Sequence, residues 1–369
     1  MNTGLVWHEK YAWHNTGTYA GVLPSGGLIE PYTHADSPDS KRRIYALLET
    51  SGVLDKLTKI NACPATAEQL NYVHELPYID KIRSMSDQGG GDAGELTPFG
   101  QGGYEIACLA AGGAIQAADA VLDGKVNNAY ALIRPCGHHA EKNRGRGFGL
   151  FNNVAITAHH LRKKHNVPRI AIVDWDAHHG NGTQQTFYKD PNTLTISIHQ
   201  NNCYPPNSGF LSDNGEEAGQ GANINIPMPP GSGHCAYMEA MDRIIAPAIA
   251  RFKPDFILVA SGLDIGAMDP LARLLCDSET CRELTRKIMN SAEKFCGGNL
   301  VLIHEGGYHA PTVPFMGLAI IEQLSGITTG VEDPFLPIIK GQGGMELLPH
   351  QEAIIKQAAT LVGNIPVKK

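Results

Sequence analysis

The stretch Asp174-Trp-Asp-Ala-His-His-Gly-Asn-Gly182 decides the fold and locates the chemistry of this chain. It follows Arg169–Val173, a short apolar and β-branched run that predicts a buried parallel strand. Asp176 and His178 are two residues apart, so they leave the carboxyl end of that strand on the same side of the chain. In open α/β sheets this edge binds ligands, and a carboxylate beside an imidazole suits a divalent metal in a catalytic site.

Three further apolar runs predict strands that are each followed by side chains able to bind a metal or transfer a proton. They are Ala129–Ile133, which leads to His138 and His139; Asp255–Ser261, which leads to Asp264; and Asn299–His304, which leads to Glu305 and Tyr308. Because the carboxyl ends of parallel strands meet at one edge, the sequence predicts a single site there.

The pattern from about residue 104 onward alternates helix and strand, which predicts a parallel β-sheet with helices on both faces. The chain has 369 residues, of which 42% are hydrophobic, and contains no linker or repeat, so we expect one α/β domain over residues 1–369. The other predicted elements are a strand at Leu194–Ile198 and helices at Tyr104–Leu122, Asn153–His165, Ala236–Arg251 and Cys281–Phe295. Two long glycine- and proline-rich connections, Gln88–Gly103 and Tyr204–Gly233, are expected at the rim of the site.

Composition and charge argue against nucleic-acid-binding, secreted and membrane proteins. The formal net charge is −7 and the basic residues form no long run, so we expect no nucleic-acid partner. Eight cysteines without a Cys-x-x-Cys pair are typical of a reduced intracellular protein. The N-terminus has no signal-peptide pattern and no apolar stretch approaches the roughly 20 residues that span a bilayer, so we predict a cytoplasmic protein without a membrane partner.

The chain contains two other His-His pairs. His138-His139 follows Pro135 and Gly137, which stop the strand and redirect the chain, and we interpret it as an acid–base pair. His159-His160 lies in the middle of a predicted helix, and we interpret it as a half-solvated helix surface without a function.

Taken together, these residues resemble the histone deacetylase and acetylpolyamine amidohydrolase family, within the arginase–deacetylase fold. The resemblance spans roughly His34 to Leu324. The motifs that carry it are Arg134–Ala140, Gly147-Phe148, Phe151–Asn153, Asp174–Gly182, Leu263-Asp264, Asp269–Leu271 and Glu305–Tyr308. Asn181 stands where class I members carry an aspartate, so the chain is similar to class II members and their bacterial histone deacetylase-like amidohydrolase relatives.

The resemblance implies a zinc-dependent amide hydrolase, with ferrous iron left open as the metal. It implies zinc ligands at Asp176, His178 and Asp264. The implied catalytic residues are the proton-transfer pair His138 and His139, Asp174 behind His138, Asn181 behind His139, and Tyr308 as the donor to the oxyanion.

The resemblance also implies structural potassium and a narrow acyl-lysine tunnel. The implied potassium ligands are Asp174, Asp176, His178, Ser197 and Ile198, with a weaker second group at Phe187, Asp190 and Thr193. The expected substrate-binding residues are Gly147, Phe148, Tyr204, Leu271, Asp92 and Gly306. The chain departs from the family pattern at Cys136, Gly149, Tyr204 and Leu263, which concerns the fit of the substrate more than the chemistry.

Two rival functions are less well supported by the residues. An arginase-like enzyme with two metals needs further carboxylates, but Gly180 and Gly266 stand at those positions. A non-catalytic binder of acylated partners should have lost a ligand, a histidine of the pair or the tyrosine, and none is lost.

The substrate remains open between acyl-lysine, small acylamides and acetylpolyamines, as does a homo-oligomeric state. Acetylpolyamine-selective relatives carry a glutamate after Asp-Pro, whereas Asp269-Pro270 is followed here by Leu271. This favours acyl-lysine-type or neutral acylamide substrates. Asp92 is a candidate rim carboxylate, and an ordinary turn aspartate is the alternative.

Overall fold

The computed structural model describes residues 1–367, in which eight parallel strands form the central sheet. In chain order these strands are β1 (Thr3–Val6), β2 (Thr58–Ile60), β3 (Asn128–Ala131), β4 (Ile170–Asp174), β5 (Thr193–Gln200), β6 (Asn223–Met228), β7 (Phe256–Ser261) and β8 (Leu300–His304). Their spatial order is β6-β5-β4-β7-β8-β3-β1-β2, and every neighbouring pair is parallel.

Strand β4 shows why the decisive stretch begins with an unbroken apolar run. Its alternate residues face opposite sides of the sheet: Ala171 and Val173 pack into one hydrophobic core, and Ile170 and Ile172 into the other. Both cores are covered by helices, so the strand must be apolar on both faces. The predicted parallel sheet with helices on both faces is confirmed.

The helices flank this sheet and alternate with its strands. In chain order they are α1 (Asp39–Thr50), α2 (Ala67–Leu70), α3 (Leu76–Asp87), α4 (Gly103–Leu122), α5 (Asn153–His165), α6 (Asn181–Phe187), α7 (His234–Ala240), α8 (Ala246–Phe252), α9 (Ser278–Cys296), α10 (Val313–Ser325), α11 (Leu336–Gly341) and α12 (Pro349–Ala359). The helix predicted at Ala236–Arg251 consists of α7 and α8, joined by a π-helical turn at Met241–Ile245.

Helix α4 corrects one expectation from the sequence. It has 20 residues and is apolar enough, by length and composition alone, to cross a membrane. Its side chains are instead largely buried, packing in the second core against α5 and the sheet, as in the core helix of a globular fold. The statement that no apolar stretch approaches bilayer length is therefore wrong for α4.

Short strands shape the connections at the carboxyl edge of the sheet. Gly90–Asp92 pairs antiparallel with Pro98–Gly100, and Gly94–Glu95 pairs parallel with Gly145–Arg146. Near the N-terminus, Thr18–Ala20 pairs antiparallel with Leu23–Pro24 and with Tyr32–Thr33.

Candidate active site

Side chains that could hold a metal ion, called the metal-binding group below, converge where β4 and its neighbour β7 end. The Nδ1 atom of His178 lies 3.1 Å from Oδ1 of Asp176 and 3.0 Å from Oδ2 of Asp264. All three side chains are buried, and their ligand atoms lie within 4.8 Å of one another. The fold therefore brings together the three residues that the sequence proposed as metal ligands.

The chemistry of this donor set fits a cation. The Nε2 atom of His178 lies 3.3 Å from the carbonyl oxygen of Leu271, so an Nε2 proton donated there leaves the Nδ1 lone pair directed at two carboxylates. A lone pair and two buried anions repel one another unless a proton or a metal ion lies between them. Burial and the charge of Asp176 raise the pKa of Asp264 to about 7. The carboxylate form of Asp264 is thus unfavourable here unless a positive charge lies beside it.

The remaining carboxylate oxygens are held by main-chain N–H groups. Gly306 donates to Oδ2 of Asp176 at 2.8 Å, and Ala177 donates to Oδ1 of Asp264 at 2.8 Å. A Cβ atom at Gly306 would collide with both carboxylates. Gly306, expected as a substrate contact, thus lies against the metal-binding group and does not line the pocket.

The two histidines after β3 have different partners. Nδ1 of His138 lies 2.9 Å from Oδ2 of Asp174, and Nδ1 of His139 lies 2.8 Å from Oδ1 of Asn181. Burial disfavours the cation of His138, but Asp174 and Asp176 outweigh it and raise its pKa to about 10. Burial and the neighbouring cation of His138 hold the pKa of His139 well below its ordinary value. The pair therefore combines a charged and a neutral imidazole whose ring centres are 4.0 Å apart.

A narrow pocket of about 150 Å³ opens onto these groups. Its lining comprises Val22, Leu96, His139, Gly147, Phe148, His178, Cys203, Tyr204, Leu271 and Tyr308. The sequence had proposed seven of these, and it missed Val22, Leu96 and Cys203, which come from connections without a motif. Phe148 and Tyr308 pack edge to face, with ring centres 5.6 Å apart.

Asp92 lies outside this lining. Its exposed carboxylate accepts hydrogen bonds from the main chain of Gly94 at 2.8 Å and Thr97 at 3.3 Å, within its own hairpin. This is the behaviour of the turn aspartate that the sequence left as the alternative. The carboxylate that reaches the pocket wall is Glu95, whose Oε1 accepts a hydrogen bond from the Tyr204 hydroxyl at 3.2 Å.

The two groups proposed for potassium differ in their surroundings. Asp174 and Ser197 are paired in register on neighbouring strands and border one small cavity of about 10 Å³. In the second group, the guanidinium of Arg162 contacts the carboxylate of Asp190 and the hydroxyl of Thr193 and lies 5.8 Å from the ring centre of Phe187. That second group already has a cationic partner.

The interpretation of His159-His160 as a half-solvated helix surface holds for His159, which is half-buried, and is wrong for His160. His160 is buried, and its Nε2 lies 2.8 Å from Oδ1 of Asp119 on helix α4, while Nε2 of His165 lies 2.7 Å from the same oxygen. Nδ1 of His160 faces the amide nitrogen of Gln69 at 3.4 Å and so acts as an acceptor. With its proton on Nε2, His160 donates to Asp119, and the cluster is a hydrogen-bonded triad between helices.

The chain is similar to known proteins over most of its length. Residues 34–324 match the model of the histone deacetylase domain. The chain is 46% identical to the histone deacetylase-like amidohydrolase of Pseudomonas aeruginosa, over 92% of this chain and 90% of that protein. It is 37% identical to a probable deacetylase of Archaeoglobus fulgidus, over 91% of each chain. The crystal structure of the HDA15 HD domain superposes with a TM-score of 0.81 at 28% identity, covering 98% of this chain and 99% of that one.

Proposed function

The chain belongs to the histone deacetylase family of hydrolytic enzymes, and on that premise we propose that it is a zinc-dependent amidohydrolase that removes acyl groups from acyl-lysine-type amides. The observation that carries the proposal is the convergence of three chemical elements on one pocket. His178 of the metal-binding group, His139 of the acid–base pair and the phenol of Tyr308 all line it.

Asp176, His178 and Asp264 would hold the metal. When bound, Zn²⁺ supplies a Lewis acid that polarises the amide carbonyl and acidifies water. Two carboxylates and one imidazole leave its formal charge neutralised, so a protein base is still needed to accept the proton of the attacking water.

His139 fits the role of that base because it lines the pocket, whereas His138 lies behind it. The hydrogen bond to Asn181 orients the imidazole of His139 without giving it a charge. The same side chain can then protonate the leaving amine. His138, paired with Asp174, supplies a positive charge beside it.

Tyr308 is built to donate a hydrogen bond to the oxyanion. Burial raises the pKa of its phenol well above the ordinary value, so the hydroxyl keeps its proton. Its main-chain N–H donates to Oδ2 of Asp269 at 2.8 Å, which fixes the residue after the two glycines that precede it.

Potassium is proposed for the group around Asp174 and Ser197, where two oxygen-bearing side chains border the same small cavity. The group at Phe187, Asp190 and Thr193 supports a second potassium less well, because Arg162 already supplies a positive charge there.

Neutral acyl-lysine or acylamide substrates fit the pocket better than acetylpolyamines. Among residues 1–367 the pocket lining includes no carboxylate that could attract a second ammonium group. Glu95 stands just behind the wall, but Arg144 and Arg146 both pair with it. These ion pairs neutralise Glu95, so its carboxylate offers little attraction to a polycationic substrate.

The test is a panel of acyl-lysine peptides, small acylamides and acetylpolyamines on the zinc-loaded protein, with Asp264→Ala as the matched inactive control. We expect turnover of acyl-lysine-type substrates that requires zinc. Absence of metal-dependent hydrolysis across the whole panel would contradict the proposal.

A further inference from the structure

Glu305 is a fully buried carboxylate that the reaction does not use directly. It follows β8, and its Oε2 atom accepts hydrogen bonds from the main-chain N–H groups of Gly137 at 2.6 Å and His138 at 3.1 Å. Its other oxygen, Oε1, has no hydrogen-bond partner among the described residues. Glu305 does not line the substrate pocket.

The hydrogen bonds of Glu305 complete a clamp on His138. The carbonyl oxygen of His138 accepts hydrogen bonds from the N–H groups of Gly182 at 3.1 Å and Thr183 at 3.2 Å, at the start of α6. Its imidazole is held by Asp174. Glu305 accepts a hydrogen bond from the main-chain N–H of His138. Without Glu305 this N–H would be a buried donor with no partner.

The same strand end also holds the metal-binding group. Gly306, the next residue, donates its N–H to Oδ2 of Asp176 at 2.8 Å, while its carbonyl accepts from Leu263 at 3.0 Å. The Glu305-Gly306 segment therefore holds both the loop of the histidine pair and a carboxylate of the metal-binding group.

We propose that Glu305 is a positioning residue for the His138-His139 pair: its carboxylate sets the distance between that loop and the metal-binding group. The inference rests on the proposed function. Misplacing a catalytic group by about 1 Å lowers turnover about 100-fold. Metal binding should be preserved because its ligands lie on other loops, and substrate binding should change little because most of the pocket lining also comes from other segments.

Two variants of Glu305 separate the effect of the length of its side chain from the effect of its charge. Glu305→Gln keeps an oxygen at the same distance and removes the charge, whereas Glu305→Asp keeps the charge and withdraws it by one methylene. We expect Glu305→Gln to retain kcat within about threefold and Glu305→Asp to lose about 100-fold in kcat, as estimated for a misplaced group. In both, KM, zinc content and the Kd of a hydroxamate inhibitor should stay unchanged.

Each other outcome overturns the inference. Wild-type kcat in Glu305→Asp would show that the clamp does not matter. A larger loss in Glu305→Gln than in Glu305→Asp would assign the role to charge, and loss of zinc or hydroxamate binding would make the residue merely structural. An inactive wild-type protein would overturn the proposed function as well, whereas an active wild type with an active Glu305→Asp variant overturns only this inference.

Discussion

The Nδ1 atom of His178 lies 3.0 Å from Oδ2 of Asp264, although 86 positions separate the two residues in the chain. The contact exists because β4 and β7 are parallel neighbours in register, Asp174 opposite Ala260, so the loops after them begin at the same height. The donor set is therefore a consequence of sheet topology, and its chemistry can be tested one ligand at a time.

Asp264→Ala should lose both metal and activity. Removing one of the two carboxylates leaves His178 and Asp176 as an incomplete set for a tetrahedral site. The measurement is metal content per chain beside turnover, and we expect about one zinc per wild-type chain.

Asp119→Asn is the matched control for this prediction. It alters the second cluster of histidines and carboxylate in the fold, which we interpret as a hydrogen-bonded triad, and should leave metal content unchanged. A clean wild-type preparation with about two metals per chain would overturn the mononuclear site.

Tyr308→Phe should fold and bind metal normally but lose turnover by roughly two or more orders of magnitude. The substitution removes only the hydroxyl and keeps the edge-to-face contact with Phe148. A hydroxamate inhibitor, which chelates the metal directly, should still bind. Near-normal kcat on an unactivated acetyl-lysine substrate would refute the role of the phenol.

The sequence predicted the strand ends well because a strand buried on both faces must be apolar along its length, as residues 170–173 of β4 are. It missed β1, β2 and β6; β2 has only three residues, and β1 and β6 contain residues that are poor strand formers. In β1, Gly4 leaves room for the side chain of Ile60, which would have to shift if a Cβ were added there. Strand β6 contains Asn223 and Asn225, whose side chains donate hydrogen bonds to neighbouring loops.

The sequence motifs could not predict contacts between residues that lie far apart in the chain. The burial of His160 depends on Asp119 from a neighbouring helix, and the clamp of Glu305 depends on main-chain groups 168 and 167 positions away. No local pattern encodes either, because each partner is set by how the elements pack.

The triad around Asp119 should stabilise the fold in a pH-dependent way. Burial alone would raise the pKa of Asp119, but hydrogen bonds from His160 and His165 and the positive charge of Lys164 outweigh it and lower the pKa from 3.8 to about 2. A depressed folded-state pKa contributes stability that is present above the unfolded value and lost as the pH falls through the folded value. The shift corresponds to roughly 2 kcal/mol.

Asp119→Asn should therefore lower the free energy of unfolding near neutral pH, and its difference from wild type should shrink between about pH 4 and pH 2. Asp123→Asn is the control, because that carboxylate pairs with an exposed lysine and should contribute little. Denaturant titrations over this pH range give the measurement. A difference that does not change with pH would contradict the assignment.

Leu271→Glu should shift substrate preference toward acetylpolyamines. Leu271 lines the pocket mouth with an apolar side chain, and its carbonyl oxygen also lies 3.3 Å from Nε2 of His178. Because that contact uses the main chain, the substitution should leave the metal-binding group intact. A carboxylate in this partly desolvated position would attract the second ammonium of acetylspermidine more strongly than one in water.

The measurement is the ratio of kcat/KM for acetylspermidine to kcat/KM for an acetyl-lysine peptide. Leu271→Gln is the uncharged control of similar size. We expect the ratio to rise in Leu271→Glu and to change little in Leu271→Gln. A wild-type enzyme that already prefers acetylspermidine by a large factor would overturn the substrate assignment, and equal ratios in the two variants would show that charge at this position does not select the substrate.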